Sequence, residues 1–204
     1  MTRVALVALI VLVPMAGWAD VKAGAKKAQL CLLCHKLENT RLALSTIPLL
    51  EGQPAAYLYA QTRACKEKRR NEPSMQTNVA NLSDRDMRDI AAYLAVQKPL
   101  RAAHPVDTDK VAAGKAAAEA LKCGECHGAA GKRDLPRLAG QTAGYTVAQL
   151  ELFAAAKRPH GSAPLLAVTA QEMESLAHYF AQQEYPLPAR RAARGAAAAA
   201  VAMA

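Results

Sequence analysis

The sequence predicts an all-α protein made of two tandem copies of one helical domain. Three observations carry that prediction. The chain repeats itself: IPLLEGQPAAYLYAQ (47–61) aligns with LPRLAGQTAGYTVAQ (135–149), and LSDRDMRDIAAYLAVQ (82–97) with VTAQEMESLAHYFAQQ (168–183). A repeat of this length means two copies of one folding unit. The repeated segments space apolar residues at i, i+3 and i+4, as in Ile90, Tyr93 and Leu94 and their counterparts Leu176, Tyr179 and Phe180. No stretch alternates apolar and polar residues convincingly, as a half-buried strand would.

The elements follow in chain order. Residues 1–19 read as a cleaved secretory leader, with Arg3 as the charged start and VALVALIVLV as the apolar run. Pro14 breaks that run, and Gly17, Trp18 and Ala19 bring small residues to the cleavage point before Asp20. Ten apolar residues are too few for a membrane span, which needs about 20. The first domain covers 20–98. A helix runs into CLLCH, a middle helix carries Tyr57 and Gln61 four apart, and a last helix opens at Ser83 with Asp86 three residues on. Residues 99–106, with two prolines, form a linker. The second domain, 107–185, repeats the order, with Tyr145 and Gln149 on its middle helix and a Thr169/Glu172 capping box on its last. The alanine-rich tail, 186–204, has no apolar stripe to pack.

Composition narrows the function classes. The chain is 52% hydrophobic but only 4% aromatic, so alanine supplies much of an apolar content that fills little volume. Small domains built this way are marginal alone and gain from a large apolar group at their centre. The formal charge is +9, or +8 once Arg3 leaves with the leader. That balance suits an acidic partner surface or an anionic membrane face. It does not suit nucleic acid. The basic residues are scattered apart from KEKRR (66–70) and the tail, and no nucleic-acid motif is present.

Four of the five cysteines lie in two identical spacings, Cys31–Cys34–His35 and Cys123–Cys126–His127. C-x-x-C-H is a c-type haem attachment signal. One helical turn places the two thiols to add across the haem vinyl groups, and the histidine then reaches the iron from the proximal side. A redox C-x-x-C pair and half of a zinc site are the competing readings. Two copies in a repeated helical domain, behind an export leader, argue for two covalent haems.

With these motifs, the chain resembles the dihaem class I cytochromes c, most closely the cytochrome c4 family. CXXCH, then P-x-L-x-G-Q-x-x-x-Y, then a methionine loop and an L-S-x-x-D helix form that family's pattern in each half. The match covers about residues 20–185 and leaves the leader and tail outside. The resemblance implies two tandem class I cytochrome c domains, each wrapped around one covalent haem. It also implies an exported, periplasmic electron carrier, with His/Met ligation in both domains. Its partners would be redox proteins, such as a terminal oxidase or a dehydrogenase, and the positive charge would suit an acidic docking surface or peripheral association with a membrane.

The distal ligands are where the two halves part. Met75, before the LSDRDM helix, stands where the family's axial methionine stands. The second loop, KRPHGSAPLLAVT, is two residues shorter and holds no methionine. Counted back from the helix cap, the Met75 position falls on Gly161, one step from His160. His160 is therefore the candidate sixth ligand of the second iron. An open or water-filled site and another protein ligand are the alternatives. Met87 and Met173 match each other across the repeat and read as packing residues. His178 takes the place of Ala92, and His104 lies in the linker. Cys65, opposite Phe153 in the repeat, reads as a packed thiol. An intermolecular disulfide and distal ligation are its weaker alternatives.

The function expected is transfer of single electrons between redox partners. Two alternatives stand beside it: the cytochrome subunit of a periplasmic dehydrogenase, such as a sulfur-oxidising flavocytochrome, and a haem enzyme or sensor with an open second haem.

Overall fold

A computed structural model describes residues 19–35, 46–101, 107–128, 134–161, 165 and 167–184. The leader through Trp18, His104 with most of the linker, and the tail lie outside the described residues. The described elements are all helical. In the first half they are α1 (Val21–Lys27), α2 (Gln29–His35), α3 (Ala55–Lys66), α4 (Pro73–Val79) and α5 (Asp84–Val96). In the second they are α6 (Thr108–Ala120), α7 (Cys123–His127), α8 (Ala143–Ala154) and α9 (Ala170–Gln182).

Both halves start and end on the same local chemistry. Asp20 caps α1 by accepting from the Lys22 and Ala23 N–H groups at 2.8 and 3.1 Å. Asp107 caps α6 the same way, from Asp109 and Lys110. Reciprocal capping boxes open the last helices, Ser83 with Asp86 on α5 and Thr169 with Glu172 on α9. Each satisfies two amide groups that a helix start leaves without partners.

The first and last helices of each half cross in direct backbone contact, α1 on α5 and α6 on α9. Glycine permits the crossing. A Cβ on Gly24 would lie 2.0 Å from the Asp89 carbonyl oxygen, and one on Gly114 would lie 2.0 Å from that of Ser175. Apolar clusters form beside each crossing, Ala28, Leu58, Ile90, Ala91 and Leu94 in one half, and Ala118, Leu165, Val168, Met173 and Leu176 in the other. Met87 and Met173 are buried, as their packing role requires.

Three details differ from the sequence reading. The first helix does not run unbroken into CLLCH, since α2 restarts at Gln29 after Ala28. In the second half, nine positions rather than seven separate the crossing glycine from the first cysteine. A left-handed Lys122 (φ 55°) takes up the difference before α7 begins. The Met75 segment is helical, with Pro73 in the first turn of α4, where its missing N–H costs nothing.

Asp89 is fully buried beneath the α1–α5 crossing. It accepts from the Asp20 N–H at 2.8 Å and the Lys27 ammonium at 2.9 Å. Burial alone would raise its pKa, but these two donors outweigh burial and hold the carboxyl below the usual aspartate value. A carboxyl depressed on folding stabilises above its unfolded pKa of about 3.9, and that contribution is lost as pH falls through the folded value. Asp89→Asn should therefore lower the denaturant midpoint clearly at pH 7, and the gap to wild type should narrow as the pH falls below the ordinary aspartate value of about 3.9. A gap independent of pH would show that the charge contributes nothing.

Candidate metal centres and the seam between the halves

Each attachment motif sits on a short helix that its half orients. Cys31, Cys34 and His35 lie on α2, and Cys123, Cys126 and His127 on α7. The three-residue step puts both thiols of a motif on one helix face. His35 is buried, and its Nδ1–H donates to the Pro48 carbonyl at 2.8 Å. His127 does the same to Pro136 at 2.7 Å. A carbonyl only accepts, so Nδ1 carries the proton and Nε2 is left to bind a metal. Burial lowers the pKa of both rings, and the neighbouring His160 lowers that of His127 further. Both are neutral imidazoles, the form that ligates.

The thiols behave unlike a redox pair. Burial pushes Cys31 and Cys123 above the usual thiol pKa, whereas a reactive C-x-x-C depends on a lowered one. Among the described residues no three His, Cys, Asp or Glu side chains gather into a site of the kind structural zinc requires.

His160 stands across from His127. Their ring centres are 6.1 Å apart with planes inclined by 32°. Phe153 meets the His160 ring edge-on at 4.9 Å, and the Arg158 guanidinium lies over Phe153 at 4.8 Å. The turn after α8 makes this possible. Ala156 takes a left-handed conformation (φ 53°), and the Arg158 N–H returns to the Leu152 carbonyl at 3.1 Å, folding the chain back toward α8. Lys68 (φ 57°) and the bond from Arg70 N–H to Ala64 repeat this geometry in the first half. There Met75 is half-buried in α4, which packs against α3. Cys65, the counterpart of Phe153, is 2% exposed, and burial raises its thiol pKa, so it is a packed thiol. The Nδ1 of His178 accepts the Asp107 N–H at 3.2 Å and ties α9 to the start of α6.

The repeated P-x-L-x-G-Q-x-x-x-Y-x-x-x-Q pattern builds a seam between the halves, which sequence reasoning missed. Gln53 gives its Nε2–H to the Arg137 carbonyl and accepts the Arg137 N–H, both at 2.9 Å. Gln141 mirrors this on Leu49, donating at 3.0 Å and accepting at 2.8 Å. Arg70 donates to Gln61 (3.0 Å), Tyr145 (3.3 Å) and Gln149 (3.4 Å). Arg158 donates to Gln61 (2.9 Å), Tyr57 (3.3 Å) and Gln149. Burial and the nearby Tyr145 push the Tyr57 phenol up to about 12. The signal was in the sequence: the same Gln, Tyr, Gln and Arg recur in both copies, where a solvent-facing helix needs none of them.

The residues fit a haem in each half. Each provides two thiols and a neutral, oriented imidazole, set beside an apolar cluster that packs Cys31 or Cys123. The cytochrome c family profile matches residues 111–184. A cytochrome c4 of Pseudomonas aeruginosa is 35% identical over 163 residues, 72% of this chain and 80% of that one. The chain belongs to the cytochrome c4 family. A second relative, from Stutzerimonas stutzeri, is named thiosulfate dehydrogenase electron acceptor. It is 33% identical over 172 residues, 76% of this chain and 79% of that one. The reduced recombinant cytochrome c4 from Pseudomonas stutzeri superposes with a TM-score of 0.68 at 25% identity, over 81% of this chain and 100% of that one. This cytochrome c4 is thus a dihaem electron-transfer protein with covalently bound c-type haem, and it works with redox partner proteins.

Proposed function

We propose that this chain is a periplasmic carrier rather than an enzyme, exported by a leader cleaved after Ala19. In this reading Cys31, Cys34, Cys123 and Cys126 attach the two haems. His35 and Met75 are the axial ligands of the first iron, and His127 and His160 those of the second. Each bound haem supplies one-electron exchange at its iron. The protein sets the potential, the orientation and the docking face.

The observation that carries the reading is the 6.1 Å between the His127 and His160 ring centres. Two metal–imidazole bonds of about 2.0 Å, each with about 1.1 Å from nitrogen to ring centre, set the two centres about 6 Å apart. The spacing of the pair matches that value, which supports His127 and His160 as the two residues that would hold one iron. The net positive charge supports an acidic docking partner or an anionic membrane face. No helix among the described residues is long and apolar enough to cross a membrane. The relative that serves thiosulfate dehydrogenase favours a dehydrogenase of reduced sulfur as the donor, and a terminal oxidase suits the receiving end.

A spectroscopic redox titration tests the ligand set. A thioether favours ferrous iron and a second imidazole favours ferric iron, so two waves are expected, the second-half haem lower. Met75→Ala should abolish the far-red sulfur-to-iron band and leave the lower wave in place. His160→Ala should open the second iron to carbon monoxide and leave the band intact. Carbon monoxide binding by the reduced wild type, or a band worth two methionine-ligated haems, would overturn the His160 assignment.

A further inference from the structure

The crossed glutamines of the seam meet the same peptide groups as the proximal histidines. His35 donates to the Pro48 carbonyl at 2.8 Å. The N–H of that same peptide group belongs to Leu49, and it donates to Gln141 Oε1 at 2.8 Å. Gln141 is in the other half. Its Nε2 also holds the Leu49 carbonyl, so the residue is gripped on both sides. The second half is the mirror image. His127 donates to the Pro136 carbonyl, and the N–H on that peptide group, from Arg137, donates to Gln53 Oε1 in the first half. Gln53 Nε2 holds the Arg137 carbonyl. Both glutamines are buried, 5% and 6% exposed.

From this geometry we infer that Gln141 positions and tunes the proximal histidine of the first haem, and Gln53 that of the second, each across the seam. The inference rests on the haem-carrier reading above. Two physical arguments support it. A peptide group is planar and stiff, so fixing its N–H edge fixes the carbonyl that aims the imidazole. Hydrogen bonds in series also polarise one another. A peptide whose N–H is engaged has a more negative carbonyl oxygen and accepts more strongly from Nδ1–H. A stronger Nδ1–H bond makes the imidazole a more basic ligand and favours ferric iron. Gln53 and Gln141 are thus positioning residues. Each haem's potential depends on a side chain from the half that carries the other haem.

The test uses the full haem-loaded chain. Gln141→Met keeps the length of the side chain and removes the acceptor and donor. It should speed exchange of the His35 ring N–H by up to about tenfold, the factor that loss of a supporting hydrogen bond of about 1.4 kcal/mol represents. It should also move the first-half wave upward, while the His127 ring N–H and the second wave stay in place. Gln53→Met should do the reverse. Gln141→Glu keeps an acceptor for Leu49 and should restore slow exchange at His35. If the methionine variant fails to hold both haems, Gln141→Asn, too short to reach Leu49, makes the same comparison. The inference is overturned if Gln141→Met acts on His127, on both rings equally, or on neither. Ring N–H exchange reports the histidine itself whether or not Met75 and His160 are the sixth ligands, so the two readings fail separately.

Discussion

Gly114→Ala should unfold the second half at temperatures where the first half still stands. In an ordinary helix interior this change gains about 1 kcal/mol, because alanine loses less backbone freedom. Here the sign reverses. The added Cβ would meet the Ser175 carbonyl oxygen at 2.0 Å, its carbon at 2.5 Å and the Tyr179 Cβ at 2.8 Å. Backbone atoms cannot rotate away, so α6 and α9 must separate. Forced expansion of a packed contact costs about 3 kcal/mol. For a domain of this size that lowers the melting temperature by about 12–24 °C. The crossing also anchors α6, which leads into α7, so haem attachment at Cys123 and Cys126 should fall with it. Calorimetry and haem absorbance per chain would measure both losses. Gly24→Ala should do the same to the first half, against the Asp89 carbonyl. A neutral or stabilised variant would show that the helices can part freely.

The second large effect concerns Arg70 and Arg158. Their guanidinium groups share the Gln61 and Gln149 carbonyl oxygens and reach Tyr145 and Tyr57 in the opposite halves. Replacing either by leucine takes the arginine from a part-buried phenol oxygen, at about 1–3 kcal/mol for the group left unmatched, while the amide oxygens keep the other guanidinium. The double variant should cost more than the sum of the singles, by about 0.5–3 kcal/mol, because either guanidinium alone still serves the shared amide oxygens and the loss of one relieves the repulsion between two like charges. The wild type should melt in one transition, and the double variant should split into two as the halves uncouple. Strict additivity with a single transition would show that this part of the seam does not join the halves.

Much of this was legible beforehand, and for identifiable reasons. The spacing of Cys31, Cys34 and His35, and of their counterparts, is a local pattern, and the structure sets each trio on one short helix. The helix starts at Ser83 and Thr169 are equally local, since a cap and its partner lie three residues apart. The role of Gln53 and Gln141 was hidden because their partners lie 84 and 92 positions away and are backbone atoms, which leave no mark in side-chain identity. The family pattern makes the Met75 segment a loop, whereas Pro73 in the first turn lets it form the short helix α4. His160 could be nominated from a missing methionine. Its neighbour Phe153 became meaningful only once Ala156 had turned the chain back.

The seam has the pattern of a homodimer written into a single chain. Leu49 faces Gln141 as Arg137 faces Gln53, and Tyr57 and Gln61 face Arg158 as Tyr145 and Gln149 face Arg70. Such self-complementary contact is what a two-fold axis produces between identical subunits. In a true dimer, any substitution appears twice, so both subunits must change together. Tandem duplication removes that constraint and can keep the fit. The residues at the seam are paired, while Cys65 and Phe153 differ at positions equivalent by the repeat, and His160 stands in a loop whose counterpart in the first half holds no histidine. Joining the two halves in one chain keeps this two-fold pattern at the seam and lets each half carry its own loop after its middle helix, a division of labour that identical subunits cannot reach.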